Sequence, residues 1–279
     1  MDGIILINKE KGITSRDVVN LVCKKLNTRR VGHTGTLDPI ATGLMVLGVG
    51  EGLKLCELLT GKDKDYIAKV KIGIKTDTYD ITGKVLEEKK VNLSKEDLIN
   101  TLNSFVGEYN QTVPIYSSVK VNGKKLYEYA RNNEEVILPK HLVKISNISL
   151  LDYNKDNFTF KVTVSSGTYI RSLINDIGDK LNIPMTMEEL KRTRVGEYNL
   201  ENATDISNLT IIPIIDAIKI KRIEIDGDLL KKISNGVKVE NIYNKEIVMF
   251  INNNIPIAIY KDDNGILKSY RVFNIKKDE

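Results

Sequence analysis

Residues 31–52 read VGHTGTLDPIATGLMVLGVGEG, and this segment joins a glycine-punctuated loop to an apolar run. Gly48, Gly50 and Gly52 form G-x-G-x-G rather than the G-x-G-x-x-G of dinucleotide-binding loops, so a nucleotide cradle is not expected. Asp38 stands out instead, because a ligand can closely approach an acid on a loop bounded by glycines. An Asp before a proline also starts many turns, and spacing alone leaves both interpretations open.

Hydrophobic periodicity predicts strands and helices on both sides of this segment. Residues 3–8 form an apolar strand, and a helix with Thr14 or Ser15 as its N-cap follows. Alternation of apolar and polar side chains predicts two further strands, at residues 66–72 and 158–164. The chain therefore combines strands and helices.

Two segments differ from the rest in composition. Residues 111–142 are rich in Tyr, Lys and Asn, and Asn122-Gly123 is a two-residue turn signal, which predicts a protruding hairpin followed by a helix. From about Lys221 the chain consists of short β-like pieces between Asn, Asp and Gly turns. This pattern predicts a small all-β unit of about sixty residues.

Composition excludes several classes of protein. The 42 Lys and Arg exceed the 37 Asp and Glu by five, which permits a polyanionic partner without requiring one. Cys23 and Cys56 cannot build a disulfide framework and are expected to be buried thiols; with His33 and His141 they lack zinc-ligand spacing, so no metal site is predicted. No secretory signal or membrane span is evident. A soluble, cytoplasmic protein is expected.

Arg171 is the second candidate for chemistry. It follows a predicted strand and the turn at residues 165–167, so it lies in the first turn of a helix, where backbone N–H groups and a guanidinium favour an anion. A solvated arginine on a helix face is the alternative. By default Tyr66 is a half-buried packing residue and His33 a surface histidine.

Basic side chains gather in three groups, and tyrosines interleave with one of them. The groups are Arg29 and Arg30; Lys120, Lys124, Lys125 and Arg131 with Tyr127 and Tyr129; and Lys191, Arg192 and Arg194. Cations beside aromatic rings suit phosphate contact and base stacking on RNA. Solvated faces of a lysine-rich protein explain any single group as well, so both interpretations stay open.

The motif GHTGTLDPIATG at residues 32–43 resembles the catalytic motif of the TruB-type tRNA pseudouridine synthases. Five further motifs correspond in order: INKEKGITS near the N-terminus, DYIAKVKIG at 65–73, YSSVKVNGKKLYEYAR at 116–131, SSGTYIRSLINDIGDKL at 165–181 and ELKRTRVG at 189–196. The similarity covers roughly residues 3–200. Glu10, Arg16 and Val113 depart from the family pattern outside the catalytic motif.

The resemblance implies an α+β fold with a mixed, largely antiparallel sheet flanked by helices and loops, and a small C-terminal PUA-like β domain. It predicts a catalytic domain at residues 1–219, with a thumb-like insertion at about 111–142, and an RNA-binding domain at 220–279. The implied enzyme is an intramolecular isomerase that converts the T-loop uridine at position 55 of tRNA to pseudouridine. The reaction breaks the N1–C1′ bond, turns the base and joins C5 to C1′, with no cofactor or metal.

The resemblance also assigns roles to residues. Asp38 matches the catalytic carboxylate, which either attacks C1′ or removes the C2′ proton. Arg171 matches its ion-pair partner, and Tyr66 matches the tyrosine that stacks beneath the base and helps remove the C5 proton. His33 matches the residue that fills the gap left by the flipped nucleotide. The other substrate-binding residues that this comparison predicts are Lys9, Tyr169, Leu190, Lys120, Lys124, Lys125 and Arg131.

The predicted partner is the T-arm stem-loop of tRNA, with no membrane, no obligate protein partner and a monomeric enzyme. Two other functions stay open. One is a tRNA-binding folding helper whose catalysis is secondary or lost, and the other is the catalytic subunit of an RNA-guided pseudouridylase. Loss of activity on replacement of Asp38 distinguishes the enzyme from the folding helper. Activity without a guide RNA distinguishes it from the RNA-guided subunit.

Overall fold

The computed structural model describes residues 1–275, so the last four residues of the predicted C-terminal domain lie outside the described residues. The strands of this range are β1 Gly3–Lys9, β2 Val31–His33, β3 Thr42–Val49, β4 Lys64–Ile72, β5 Ile74–Thr76, β6 Val85–Glu88, β7 Gly107–Thr112, β8 Lys120–Val121, β9 Lys124–Lys125, β10 Lys140–Tyr153, β11 Asn157–Val164, β12 Met185–Val195, β13 Tyr198–Asn199, β14 Ile211–Pro213, β15 Lys221–Glu224, β16 Val239–Glu240, β17 Ile247–Asn252, β18 Ile255–Asp263 and β19 Ile266–Val272. Its α-helices are α1 Ser15–Lys25, α2 Cys56–Thr60, α3 Lys95–Asn103, α4 Leu126–Arg131, α5 Ile170–Leu181, α6 Ile214–Ala217 and α7 Gly227–Ser234. None of these helices combines the length and apolarity needed to cross a bilayer.

A large sheet organises the first three quarters of the chain. Its order is β14-β1-β3-β12-β4-β11-β10-β7, with β2 attached to β3 and β13 to β12. Within the described residues, β12 and β3 form its one parallel pair. Helices α1, α3 and α5 contribute apolar side chains to the core of this sheet. The predicted α+β fold with a mixed, largely antiparallel sheet is confirmed.

The first helix begins where its sequence predicts. Thr14 is the N-cap of α1 and forms a capping box with Asp17, in which side chain and backbone groups satisfy each other reciprocally. Val18, Val19 and Val22 are buried on the inner face of the helix. Because this helix packs beside β2 and the following loop, its N-terminus lies next to Asp38.

The glycines of the 31–52 segment allow close packing of the backbone. A Cβ on Gly43, whose φ is +103°, would lie 2.3 Å from the Arg192 carbonyl oxygen of β12. A Cβ on Gly52 would lie 1.8 Å from the carbonyl oxygen of Gly3. Neither space admits a side chain, so these glycines bring β1, β3 and β12 together around the Asp38 loop.

The insertion at residues 111–142 contains the predicted hairpin and helix. Strands β8 and β9 pair through a turn at Asn122 and Gly123, whose φ angles are +51° and +81°. Both positive φ angles suit an Asn-Gly hairpin turn. Helix α4 follows β9 directly, so the predicted hairpin followed by a helix is confirmed, whereas a thumb-like role of this insertion stays a prediction.

The C-terminal sheet has the order β15-β17-β18-β19-β16. The expectation of an all-β unit was wrong in one respect, because α7 lies between β15 and β16. Asp226 precedes this helix as N-cap, and Leu229, Leu230 and Ile233 pack against the sheet. A second apolar cluster combines side chains of β1, β3, β17 and β18, so the two sheets share packing. The division at residue 219/220 stays a prediction.

A buried carboxylate connects the end of β19 and the residues after it to the segment that follows β3 of the large sheet. Glu51 is 5% exposed and accepts hydrogen bonds from Arg30 Nη2 at 2.5 Å, Lys54 Nζ at 2.6 Å and the Asn274 N–H at 2.8 Å. Lys54 Nζ also donates to the Val272 carbonyl at 2.6 Å. Burial raises the pKa of Glu51, but the hydrogen bonds from Lys54, Arg30 and Asn274 outweigh burial and hold the pKa at about 2.

Glu51→Gln is expected to destabilise the fold by about 3 kcal/mol at pH 7, because each pKa unit corresponds to about 1.4 kcal/mol. The folded pKa lies below the ordinary value of 4.5, so the contribution is present above pH 4.5 and is lost as the pH falls toward 2. Denaturant unfolding of both proteins at pH 7 and pH 3 tests this. A stability difference that is equal at the two pH values contradicts it.

Candidate active site

Asp38 and Arg171 form a bidentate ion pair. Arg171 Nε donates to Asp38 Oδ2 at 2.9 Å, and Nη2 donates to Oδ1 at 3.1 Å. The guanidinium also donates to the carbonyl oxygens of Thr78 and Tyr116, each at 3.0 Å. The side chain of Arg171 is 6% exposed and that of Asp38 is 34% exposed. Arg171 is therefore a fixed charge, whereas the carboxylate keeps an open side.

The start of α5 fixes the position of Arg171. Tyr169 is the N-cap residue, and the Gln111 side chain of β7 binds its backbone on both sides. The Tyr169 N–H donates to Gln111 Oε1 at 2.7 Å, and Gln111 Nε2 donates to the Tyr169 carbonyl at 3.1 Å. The predicted location of Arg171 in the first turn of a helix is confirmed.

Side chains of α1 and β1 hold the backbone of the loop that carries Asp38. Ser15 Oγ accepts from the Leu37 N–H at 2.8 Å and donates to the Leu37 carbonyl at 2.9 Å. Lys9 Nζ donates to the carbonyls of Ala41 at 2.7 Å and Pro39 at 3.3 Å. These bonds fix the backbone on both sides of the carboxylate.

Lys9 occupies a different place from the one that its predicted substrate-binding role requires. Lys9 is 1% exposed, and its ammonium group donates hydrogen bonds to backbone carbonyls of the Asp38 loop. Burial lowers the pKa of Lys9 to about 8, against the opposing effect of Asp38. The structure thus places Lys9 beneath the loop, where it positions Asp38 rather than facing a ligand.

Arg192 anchors the same loop from the neighbouring strand. Its Nη1 donates to the Thr36 carbonyl at 3.2 Å and its Nη2 to the Gly35 carbonyl at 3.1 Å. A third bond joins Nε to the Leu44 carbonyl at 2.7 Å. The side chain is 1% exposed, so this arginine is an internal brace.

A cavity of about 290 Å³ opens in front of Asp38. Tyr66 of β4 and Leu190 of β12 lie on adjacent strands and contribute buried side chains to its wall. Burial raises the pKa of Tyr169, which lines the same space. The full lining is Thr34, Gly35, Thr36, Leu37, Asp38, Thr60, Lys64, Tyr66, Ser165, Ser166, Gly167, Thr168, Tyr169, Ile170, Arg171, Leu190 and Arg192. Five of the predicted site residues are therefore brought together: Asp38, Tyr66, Tyr169, Arg171 and Leu190.

His33 lies outside the cavity lining, at the end of β2. His33 as a whole is exposed to solvent, but its ring is partly buried. This burial, together with the positive charges of Arg16 and Arg192, lowers the pKa of His33. Because the ordinary value is 6.5, the imidazole is neutral at pH 7. It presents an uncharged ring beside the cavity loop.

Part of the basic thumb is neutralised by contacts within the protein. Lys124 Nζ donates to both carboxylate oxygens of Glu134, at 2.6 and 2.5 Å, and lies 4.7 Å from the ring centre of Tyr129. The hydroxyl of Tyr129 donates to the Val121 carbonyl at 3.0 Å. Lys124 therefore joins α4 to the hairpin as well as carrying charge.

The other thumb cations are free of carboxylate partners in the described part of the chain. Lys125 Nζ lies 5.4 Å and Arg131 Cζ 5.3 Å from the ring centre of Tyr127. Lys120 and Arg131 are exposed. These three cations are separate from the cavity lining, and they present positive charge on the insertion.

Sequence reasoning missed Lys64 as a site residue and grouped Arg192 with surface cations. The structure buries both and places both against the cavity. The signal for Lys64 is its spacing, because it lies two residues before Tyr66 and so projects from the same face of β4. A lysine on the inner face of a strand is unusual enough to mark a candidate. Among residues 1–275, no cluster of His, Cys, Asp and Glu forms a possible metal site.

Comparison with known proteins places this arrangement in a family. The family model described as TruB family pseudouridylate synthase (N terminal domain) matches residues 23–170. The tRNA pseudouridine synthase B of Clostridium tetani is 40% identical over 275 residues, covering 95% of this chain and 94% of the relative. The protein of the same name from Fusobacterium nucleatum is 41% identical over 287 residues, covering 98% and 100%.

A solved structure shares the fold. It is titled "Structure of H/ACA RNP bound to a substrate RNA containing 2'-deoxyuridine" and superposes with a TM-score of 0.72. The match covers 99% of this chain and 86% of that chain at 20% sequence identity, which supports similarity of fold alone. On the family match and the identity to two relatives over nearly their full length, this chain belongs to the TruB family of pseudouridylate synthases and is an enzyme.

Proposed function

We propose that this enzyme converts the T-loop uridine at position 55 of tRNA to pseudouridine, with Asp38 as the catalytic carboxylate. The observation that carries the proposal is the bidentate Asp38–Arg171 pair at a cavity that Tyr66 and Leu190 also line. The names of the relatives, tRNA pseudouridine synthase B, support tRNA as the substrate.

The chemistry requires a carboxylate beside the sugar. As the N1–C1′ bond breaks, positive charge develops at C1′, and an ionised carboxylate stabilises or captures it. Asp38 has both oxygens bound by Arg171, which fixes the orientation of the carboxylate and aims its open side at the cavity. Attack on C1′ and removal of the C2′ proton both use this same carboxylate.

Tyr66 and Leu190 are proposed to hold the base while it is detached. The two residues come from paired strands and are 7% and 6% exposed, so they form a largely buried wall of the cavity. The Tyr66 ring stacks beneath the uracil, and its hydroxyl assists loss of the C5 proton after C5 has joined C1′. Tyr169, at the start of α5, closes the cavity on another side.

The RNA itself is proposed to contact His33 and the thumb. A base must leave the T-loop stack to reach a cavity of this kind, at a cost of a few kcal/mol. The neutral ring of His33 is suited to stack in the space that the base leaves. Lys120, Lys125 and Arg131 supply phosphate contacts, with a smaller contribution from Lys124 because Glu134 neutralises it.

The affinity for tRNA is expected to decrease as the salt concentration rises. Variants that lack cations of the thumb-like insertion are expected to show a weaker salt dependence. Replacing Lys120 and Lys125 by Gln should reduce the slope of log affinity against log salt by about 1.5, since each phosphate contact contributes about 0.7–0.9. Filter binding between 50 and 300 mM salt measures the slope. The matched control replaces Lys90 and Lys155, which are exposed and lie near Lys71 and Ile72, at the end of β4 that is remote from the cavity. Equal slopes for the two pairs contradict the thumb contacts.

Tritium release tests the proposed activity directly. A bare T-arm stem-loop with 5-tritiated uridine at the target position should release tritium when incubated with the protein alone. Tight binding without release supports the folding-helper function instead. Release that requires a guide RNA supports the RNA-guided function.

A further inference from the structure

Lys64 is a buried cation beside the cavity that the mechanism above does not use. Its side chain is 7% exposed, and its ammonium donates to the carbonyls of Thr60 at 2.9 Å and Lys62 at 2.8 Å. Burial lowers its pKa to about 8. Within residues 1–275, it forms no ion pair with a carboxylate, and the acid that favours its charge is the exposed Asp63. A buried ammonium without a counterion is unfavourable, so its retention needs an explanation.

The neighbouring side chains form a polar end of the cavity. Ser166 Oγ donates to the Thr60 carbonyl at 2.8 Å, so it shares an acceptor with Lys64. The adjacent Gly167 is exposed with a φ of +85°, and a Cβ placed there would meet no atom within 4 Å. Open space therefore lies beside the turn that faces Lys64.

The lining of the cavity as a whole carries an excess of positive charge. Among the described residues that line the cavity, Lys64, Arg171 and Arg192 are cations and Asp38 is the one acid, an excess of two positive charges. Uracil carries no charge and cannot balance this excess. A phosphodiester can, because each backbone phosphate of RNA carries one negative charge.

We propose that the Lys64 end of the cavity is a phosphodiester-binding subsite, in which Lys64 contacts a backbone phosphate next to the flipped uridine. This inference rests on the proposed function, since it takes the occupant of the cavity to be RNA. Lys64 and Tyr66 project from one face of β4 about 7 Å apart, as two residues of a strand do. One wall thus contacts the base and the backbone of the same nucleotide. An ammonium has three donors, and two are used within the protein.

A double-mutant cycle with modified RNA tests the subsite. Two T-arm stem-loops each carry one neutral methylphosphonate, on the 5′ or the 3′ side of the target uridine. Wild type is expected to bind one of them about tenfold more weakly than the unmodified RNA, as for the loss of one charge-assisted contact. Lys64→Gln is expected to bind the unmodified RNA about tenfold more weakly than wild type does. For this variant, the same methylphosphonate should weaken binding by less than a further twofold, because the contact that it removes is already absent.

Three controls separate charge from folding. Lys64→Gln keeps an amide donor for the Thr60 carbonyl, and Lys64→Arg keeps the charge and should retain most of the affinity. Lys71→Gln removes a cation at the other end of β4 and should bind all three RNAs as wild type does. Thermal melts identify any variant that does not fold.

The subsite is contradicted if the loss of affinity caused by Lys64→Gln and the loss caused by each methylphosphonate multiply when the two changes are combined. It is also contradicted if neither change lowers the affinity. Conversion of the unmodified stem-loop by wild type is measured in parallel. A protein that converts the uridine but shows multiplying losses contradicts the subsite alone. A protein that binds but does not convert contradicts the proposed function.

Discussion

Asp38→Asn is expected to lower kcat for the uridine at least about 10³-fold while the affinity for tRNA stays within about tenfold. The amide matches the carboxylate in shape but carries no charge, so it can neither stabilise positive charge at C1′ nor act as base or nucleophile. Binding should persist because the thumb and the cavity walls are unchanged. Single-turnover tritium release and filter binding measure the two quantities separately.

The matched control for this variant is Asp63→Asn. Asp63 is exposed, precedes β4 and lies outside the cavity lining, so it makes the same change in charge away from the carboxylate pair. It should release tritium at the wild-type rate. Turnover by Asp38→Asn within tenfold of wild type contradicts the assigned role of the carboxylate.

Arg171→Met is expected to reduce both catalysis and stability. It removes the counterion of Asp38 and leaves the carbonyls of Thr78 and Tyr116 without their donors. Because Asp38 is partly exposed and water can reach it, we expect a destabilisation of about 2 kcal/mol rather than the larger loss typical of a fully buried pair. A fall in kcat of about 10²–10³-fold should accompany it.

Arg171→Lys separates the positive charge from the geometry. Lysine restores the charge but cannot make two parallel bonds to Asp38 while also donating to both carbonyls. It should recover most of the stability but less than a tenth of the wild-type kcat. Thermal melts and tritium release check the two effects. Recovery of full kcat by the lysine variant shows that charge alone suffices and contradicts a positioning role for the bidentate pair.

Local elements were predictable where local chemistry determines them. The Thr14 cap, the Asn122-Gly123 turn and the alternation of β4 act over a few residues, and all three are present in the structure. Helix α7 was missed although an aspartate, Asp226, occupies its N-cap position. Its eight residues are too few for a clear helical period among short β-like pieces.

The site was predictable in its residues but not in its assembly. Asp38 and Arg171 are 133 residues apart, and spacing alone left an Asx-turn and a solvated arginine open; the family resemblance supplied their pairing. The burial of Lys9 and Arg192 depends on which carbonyls the folded loop presents to them. That information arises from tertiary packing around Gly43 and is absent from any short segment.

The most direct test maps pseudouridine at nucleotide resolution in an unmodified tRNA after incubation with the purified protein and no guide RNA. We predict one new pseudouridine, at position 55, with the wild-type protein and with Asp63→Asn, and none with Asp38→Asn. No pseudouridine at position 55 with wild type, or an equal yield with Asp38→Asn, contradicts the assignment of this enzyme and its catalytic carboxylate.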